Sequence, residues 1–305
     1  MNGAAAKRPS FAPRNWPGWI SVAAIWLLGR LPHRPTAATA EAIGVLLYRF
    51  ANRRRLVAER NIERCFSSLS EIERKEIIKA NFRFVGRMLV EMAWSWSTRD
   101  RLIDALGEVH GLEHLRSAEE KHRGVLVVTL HATCLEMGAR IAALQVRASG
   151  IYRPLKNEVM EWYQNRCRAR FCKSMLSKRN LRAGLRALKA GEVLWYAPDQ
   201  DFGKKQSVFV DFFGIPAATL LATHRLPSLT GCEVVMMFPH FDRTTGKYHV
   251  EFSPAPENFP GQDPVVGLGM INALIEDWVR AHPEQYWWVH RRFKTRTDGQ
   301  PPFYD

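Results

Sequence analysis

Gly124-Val125-Leu126-Val127-Val128-Thr129-Leu130-His131-Ala132-Thr133-Cys134-Leu135-Glu136-Met137-Gly138 decides how this chain is read. A glycine opens six apolar or β-branched residues, the composition of a buried strand, and after Cys134 the apolar positions return at helical spacing. His131 therefore sits where a strand gives way to a helix. Residues five apart on a continuous helix lie about 140° around its axis, so His131 and Glu136 would face different ways if both were helical. With His131 in the loop and Glu136 in the first turns of the helix, the loop can fold the imidazole back onto the carboxylate. Such a pair is an oriented base. A neutral histidine takes a proton from an alcohol at neutral pH, and a carboxylate on its other nitrogen fixes the tautomer. The same spacing occurs at His114 and Glu119, in a charged segment with no strand before it. Position, more than spacing, singles out His131.

Downstream of about residue 109, short strands and helices alternate. Strands are expected at 124–130, 151–153, 192–196, 207–213, 232–238 and 248–253, with helices near 134–148, 157–172, 180–190 and 265–281. The last helix has Asp263 as its cap and Pro264 at its first position. This order predicts an α/β fold, a mixed sheet flanked by helices. Sites in such sheets lie beyond the strand ends. His131 meets that expectation, as does Asp199 after the strand Val193–Tyr196, although Pro198-Asp199 would also suit a plain turn. Arg153 precedes a proline and is therefore extended, with a guanidinium that can hold a phosphate bidentately.

Upstream, residues 1–15 carry Lys7, Arg8 and Arg14 and read as a basic, disordered start. Trp16 to Leu31 is an apolar run containing Trp16, Trp19 and Trp26, closed by Arg30 and Pro32. Residues 16–34 are expected to be an uncleaved membrane anchor helix, although the apolar run falls short of the roughly 20 residues that a full span needs. A cleaved signal peptide fits less well, because Arg30, His33 and Arg34 interrupt the approach to Ala38-Thr39-Ala40. A second apolar helix from Thr39 to Phe50 leads into Arg53-Arg54-Arg55, which suits anionic headgroups. Ser70 and Glu73 form a capping box before an amphipathic helix over about 71–97, with Ile77, Phe84, Met88, Met92 and Trp96 on its face. Residues 35–305 read as a single α/β domain with a helical N-terminal part.

Composition narrows the function. The chain has 305 residues, 46% of them hydrophobic, which is enough for a sizeable core. A net charge of +14 points to an anionic partner, and ten tryptophans with sixteen phenylalanines tilt that partner toward lipid and away from nucleic acid. There is no RNA-recognition signature, helix-turn-helix pattern or zinc-finger spacing. Five scattered cysteines without a Cys-x-x-Cys pair argue against a disulfide framework or a zinc site and fit a reducing compartment. The absence of Gly-x-Ser-x-Gly and of a Walker loop weakens a hydrolase reading.

Several stretches carry a more specific signal: Asn61 to Phe66, His131 to Glu136, Tyr152-Arg153-Pro154, Lys173 to Leu176, Gly191 to Asp199, and Glu284 to Arg296. With them the chain resembles the bacterial lipid A biosynthesis acyltransferases, most closely those that add a lauroyl group to the Kdo-bearing lipid A precursor. The resemblance implies a glycerolipid-acyltransferase-like fold. It also implies transfer of a secondary acyl chain, lauroyl or similar, from an acyl carrier protein thioester to a hydroxyl of the precursor. The setting would be the cytoplasmic face of the bacterial inner membrane, with no metal or organic cofactor for the chemistry and no nucleic acid.

In that mechanism His131 is the general base and Glu136 orients it. Arg168 occupies the functional arginine position, for the oxyanion or a substrate phosphate, with Arg166 and Arg170 leaving the choice open by two residues either way. Asp199 and Arg153 join it as substrate-binding residues, and Arg291, Arg292, Lys294 and Arg296 are available for lipid phosphates or an acidic carrier protein. Cys134 is conceivable as an acyl acceptor, although direct attack by the acceptor hydroxyl needs no covalent intermediate. The competing readings are a non-catalytic basic protein that binds a membrane or anionic lipid, and an acyltransferase acting on another glycolipid.

Overall fold

The computed structural model describes residues 7–178 and 180–304. Its first part is helical: α1 (Trp16–Leu28), α2 (His33–Phe50), α3 (Asn52–Cys65), α4 (Glu71–Ser97) and α5 (Asp100–Asp104). α4 starts on the expected capping box, with Ser70 Oγ accepting from the Glu73 amide and the Glu73 carboxylate accepting from the Ser70 amide at 2.7 Å. Phe82, Phe84, Val90, Trp94 and Trp96 are all buried along it, so this helix is covered on more than one side. α2 crosses α4 at backbone contact. A methyl group on Gly86 would collide with the carbonyl of Ala40, and one on Gly44 with the carbonyl of Phe82.

Charge then fastens the helices to the sheet. The buried Arg87 of α4 bonds Glu91 at 2.6 Å and Glu41 of α2 at 3.1 Å, and donates to the Tyr248 hydroxyl at 3.0 Å. His33 of α2 reaches the same hydroxyl at 3.0 Å. Burial, followed by the charges of Arg87 and Arg34, lowers the His33 pKa to about 4 and keeps the ring neutral.

The second part alternates strands and helices: β1 (Gly107–His110), α6 (Leu112–Glu120), β2 (Val125–Val128), α7 (Leu135–Ala142), β3 (Ser149–Tyr152), α8 (Glu158–Arg168), β4 (Ser174–Ser177), α9 (Leu181–Lys189) and β5 (Val193–Tyr196). There follow β6 (Ser207–Phe212), β7 (Ile215–Leu220), α10 (Ala222–Thr230), β8 (Glu233–Asp242), β9 (Lys247–Pro254) and α11 (Pro264–Ala281). Among the described residues seven strands form one sheet in the order β1-β9-β8-β2-β5-β3-β4, while β6 and β7 form a separate antiparallel pair. Within the large sheet only β8 and β9 run antiparallel. The sheet is therefore mixed and helix-flanked, as expected. All four residues of β2 are buried, because this central strand has a neighbour on each side and helices over both faces.

Several elements lacked a readable signal. β1 (Gly-Glu-Val-His) and β4 (Ser-Met-Leu-Ser) are short and largely polar, and α10 has Pro227 inside it. The second His-x-x-x-x-Glu pair lies on α6, where His114 is exposed and Glu119 pairs with Arg116 at 2.8 Å. There, helical geometry keeps the two residues apart.

The expected anchor at 16–34 is not one helix. α1 has 13 residues and α2 starts anew at His33 after Pro32. At 1.5 Å per residue α1 reaches about 20 Å, against a hydrocarbon core of about 30 Å. Among the described residues no helix is long and apolar enough to cross a membrane. Instead Val22 and Ile25 of α1 are buried against Ala93, Trp96 and Val159, while Trp16, Ile20, Trp26 and Leu27 stay exposed. The described part of the basic start is tied down as well. Phe11 stacks on Trp19 at 4.5 Å, and Trp19 Nε1 donates to the Ser10 carbonyl at 3.1 Å.

Two outcomes follow for stability. Gly86→Leu forces α2 away from α4 and lowers the unfolding free energy by about 1–3 kcal/mol or more, read as a lower urea midpoint. His33 has a pKa of about 4 when folded against 6.5 when free. The unfolded chain therefore binds the extra proton between those values, and stability falls as pH drops through that window. In denaturation curves between pH 4 and 6.5, His33→Gln is expected to reduce the proton uptake on unfolding by about one.

Candidate active site

β2 and β5 pair in parallel with Val128 opposite Tyr196, and the ladder continues as the Thr129 amide donates to the Tyr196 carbonyl at 3.0 Å. His131 lies three residues past Val128, and Asp199 three past Tyr196. Equal offsets from adjacent parallel strands deliver the two side chains to one place. Asp199 Oδ1 is 2.5 Å from His131 Nδ1, and Oδ2 accepts from the His131 backbone amide at 2.9 Å.

The Asp199 side chain is 2% exposed and that of His131 is 28% exposed. Burial pushes the Asp199 carboxyl up, but the charge of His131 and the bonds from its ring and amide outweigh it, leaving the pKa below the usual carboxylate range. An ionised Asp199 requires the proton on His131 Nδ1. Nε2 has no hydrogen-bond partner among the described residues, and the half-buried ring leaves it available to a substrate.

The loop is held from the C-terminal side. Ala132 bridges to Tyr286, Thr133 N donates to the Gln285 carbonyl at 2.7 Å, and Trp287 N donates to the His131 carbonyl at 3.0 Å. Asn61 of α3 in turn donates to the carbonyls of Trp288 and His290 at 2.7 and 2.8 Å. Burial lowers the His290 pKa to about 4, and its Nε2 accepts from the Asp201 amide at 3.1 Å. Asn61, Tyr286, His290 and Arg292 line a small cavity together with His131 and Asp199. Sequence reasoning gave Asn61, Tyr286 and His290 no role at the site. They lie inside the family-like stretches 61–66 and 284–296, which were their only signal.

Glu136 departs from expectation. It is the second residue of α7, and its carboxylate takes two bonds from Arg168, Nε to Oε1 at 2.9 Å and Nη2 to Oε2 at 2.5 Å. Trp96 Nε1 adds a third at 2.5 Å. The loop therefore does not fold the imidazole onto Glu136: the pins at 285–287 carry His131 to Asp199, while the first turn of α7 faces α4 and α8. Burial pushes the Glu136 carboxyl up, but the charge of Arg168 and the bonds from Arg168 and Trp96 bring it below its ordinary value. Both carboxylates are thus ionised, each with its own partner.

The structure also sorts the arginines. Of the three at 166, 168 and 170, Arg168 joins Glu136, Arg170 reaches the Trp96 carbonyl, and Arg166 is exposed near Trp162. Arg153 is exposed just past β3, at the same end of the sheet as His131. In the terminal cluster, Arg292 is buried and donates to the Ala218 carbonyl at 2.7 Å and Thr219 Oγ1 at 3.0 Å, so it is not free for a lipid phosphate. Cys134 is fully buried, and burial pushes its thiol far up. A protonated, enclosed thiol is a poor acyl acceptor.

Glu136 and Arg168 also line a second cavity, whose walls are otherwise almost wholly apolar and include Ala139, Ala143, Val146, Gly150, Met175 and Trp195. Small residues on α7 and at the start of β3 leave this space beside the sheet. An oriented imidazole can deprotonate a hydroxyl, and an apolar slot headed by a carboxylate–guanidinium pair can hold a hydrocarbon chain.

Comparison with known proteins identifies a family. The family model for bacterial lipid A biosynthesis acyltransferase matches residues 5–295. The lipid A biosynthesis lauroyltransferase of Escherichia coli K12 is 38% identical over 293 residues, which is 96% of each chain. The palmitoleoyltransferase of the same organism is 37% identical over 96% of this chain and 95% of its own. A lipid A biosynthesis acyltransferase of Haemophilus influenzae is 36% identical over 97% of this chain and 96% of its own. Because the family match runs nearly end to end and these relatives are covered almost whole, the chain belongs to the bacterial lipid A biosynthesis acyltransferases and is an acyltransferase enzyme.

Proposed function

We propose that this enzyme transfers a secondary fatty acyl chain, lauroyl or similar, from an acyl carrier protein thioester to a hydroxyl of the Kdo-bearing lipid A precursor, with His131 as general base. The observation that carries the reading is the bond from His131 Nδ1 to the buried Asp199, which leaves Nε2 available. Nε2 takes the proton of the acceptor hydroxyl, whose oxygen attacks the thioester carbonyl. Asp199 stabilises the imidazolium that forms. The oxyanion needs a fixed positive group, and Arg168, held in place by Glu136, is assigned that role. Collapse breaks the carbon–sulfur bond, and the imidazolium returns its proton to the departing thiolate. The apolar cavity beside Glu136 and Arg168 receives the acyl chain. Arg153, exposed at the same end of the sheet, is assigned to an anionic group of the acceptor.

The N-terminal helices supply access to lipid. Trp16, Ile20, Trp26 and Leu27 on α1 and Ile43, Leu46 and Phe50 on α2 are exposed, close in sequence to Arg53, Arg54 and Arg55. Exposed apolar groups near cations suit helices lying in a bilayer interface. This reading places the enzyme on the cytoplasmic face of the bacterial inner membrane.

The assignment is tested by offering the purified enzyme a panel of acyl carrier protein thioesters with the precursor and identifying products by mass spectrometry. Preferred transfer to glycerol phosphate or a lysophospholipid would overturn it. In the same assay Asp199→Asn is expected to lower kcat by about 10³–10⁴, as loss of a tautomer-fixing carboxylate does in related base arrangements. Retention of a tenth or more of the activity would remove Asp199 from the mechanism. Ala139→Phe is expected to shift preference toward shorter thioesters, since one methylene is worth about 1–3 kcal/mol in such a slot. An unchanged chain-length profile in an active variant would place the acyl chain elsewhere.

A further inference from the structure

At the far edge of the sheet, away from β2 and β5, one face of β1 and β9 carries a row of metal-binding side chains. Glu108 stands opposite His249, and His110 opposite Glu251. His110 Nε2 lies 3.1 Å from His249 Nδ1, while Glu108 Oε2 lies 3.7 Å from His249 Nδ1 and 4.0 Å from His110 Nε2. Three atoms so spaced share a centre about 2.1 Å from each in their own plane, and a tetrahedral zinc with bonds of about 2.0–2.2 Å needs only that the carboxylate draw in by a few tenths of an ångström and the two facing rings turn toward the ion. The other Glu108 oxygen is held by Lys247 Nζ at 2.8 Å, which leaves Oε2 directed at the histidines. A ligating carboxylate fixed through its second oxygen in this way is a common support for a metal.

We propose that Glu108, His110 and His249 form a site for one divalent cation of the zinc type, with water as the fourth ligand. Two imidazoles and one carboxylate favour zinc or cobalt over magnesium or calcium, which prefer all-oxygen shells. His110 is exposed and Glu108 and His249 are part-buried, so ion and water enter from the His110 side. The proton now shared between the rings moves to the other nitrogen of the ring that carries it, so neutral histidines bind without losing a proton. The cysteine pattern that argues against a zinc site speaks only to thiolate ligands. The metal has no part in acyl transfer: it fastens the four-residue edge strand β1 to β9.

The full-length protein, stripped with chelator, is titrated with zinc by calorimetry and with cobalt by visible absorption. The expected result is one equivalent bound, with the intense visible bands of tetrahedral cobalt and a thermal midpoint raised by zinc. His110→Ala and Glu108→Gln, both at accessible positions, weaken zinc binding tenfold or more and abolish the thermal shift, while His122→Ala, at a separate exposed histidine, behaves as wild type. The proposal is overturned if the wild type takes up less than half an equivalent, or if His110→Ala and Glu108→Gln bind zinc as tightly as the wild type.

Discussion

The constraint on which the site depends is the parallel register of β2 and β5, which sets Val128 opposite Tyr196. Both strands are short, and both have hydrogen-bonded neighbours on each side in the sheet. A one-residue slip between them would undo the equal offsets past Val128 and Tyr196 and separate His131 from Asp199. The geometry of the base is therefore inherited from the core and not from a flexible loop. The segment 285–290, itself held by Asn61, closes the loop from the other side, so an α3 residue far from the chemistry helps to aim the imidazole.

Two carboxylates divide the work. A carboxylate taken out of water and left alone is costly, and each of the two here has its own partner. Asp199 serves His131, and Glu136 serves Arg168. Trp96 joins the second pair to α4, the same helix whose Arg87 anchors to Tyr248 of the sheet. The helical N-terminal part is thus a wall of the site as well as the portion with exposed apolar surface.

Local features were legible in the sequence. The capping box of α4, the Asp263 cap of α11 and the strand-to-helix position of His131 all depend on residues close together in the chain. The partner of His131 was not legible, because Asp199 is 68 positions away and their meeting depends on strand register. Spacing pointed to Glu136 instead, the acid nearest in sequence. The strand ends themselves were readable, and equal offsets past Val128 and Tyr196 were the one clue that could have joined them. The apolar run at 16–31 misled for a different reason. Composition measures how apolar a helix is, but not that Val22 and Ile25 are spent on packing against α4 and α8. Arg292 read as available for a lipid phosphate or an acidic carrier protein, and only the fold shows that it is buried and donates to the carbonyl of Ala218.

The central claim is that His131 is held by Asp199 and not by Glu136. Proton NMR of the Nδ1–H of His131, a downfield signal in a short histidine–carboxylate bond, tests it most directly. The signal should persist in Glu136→Gln and vanish in Asp199→Asn. Loss of the signal in Glu136→Gln with retention in Asp199→Asn would contradict the account.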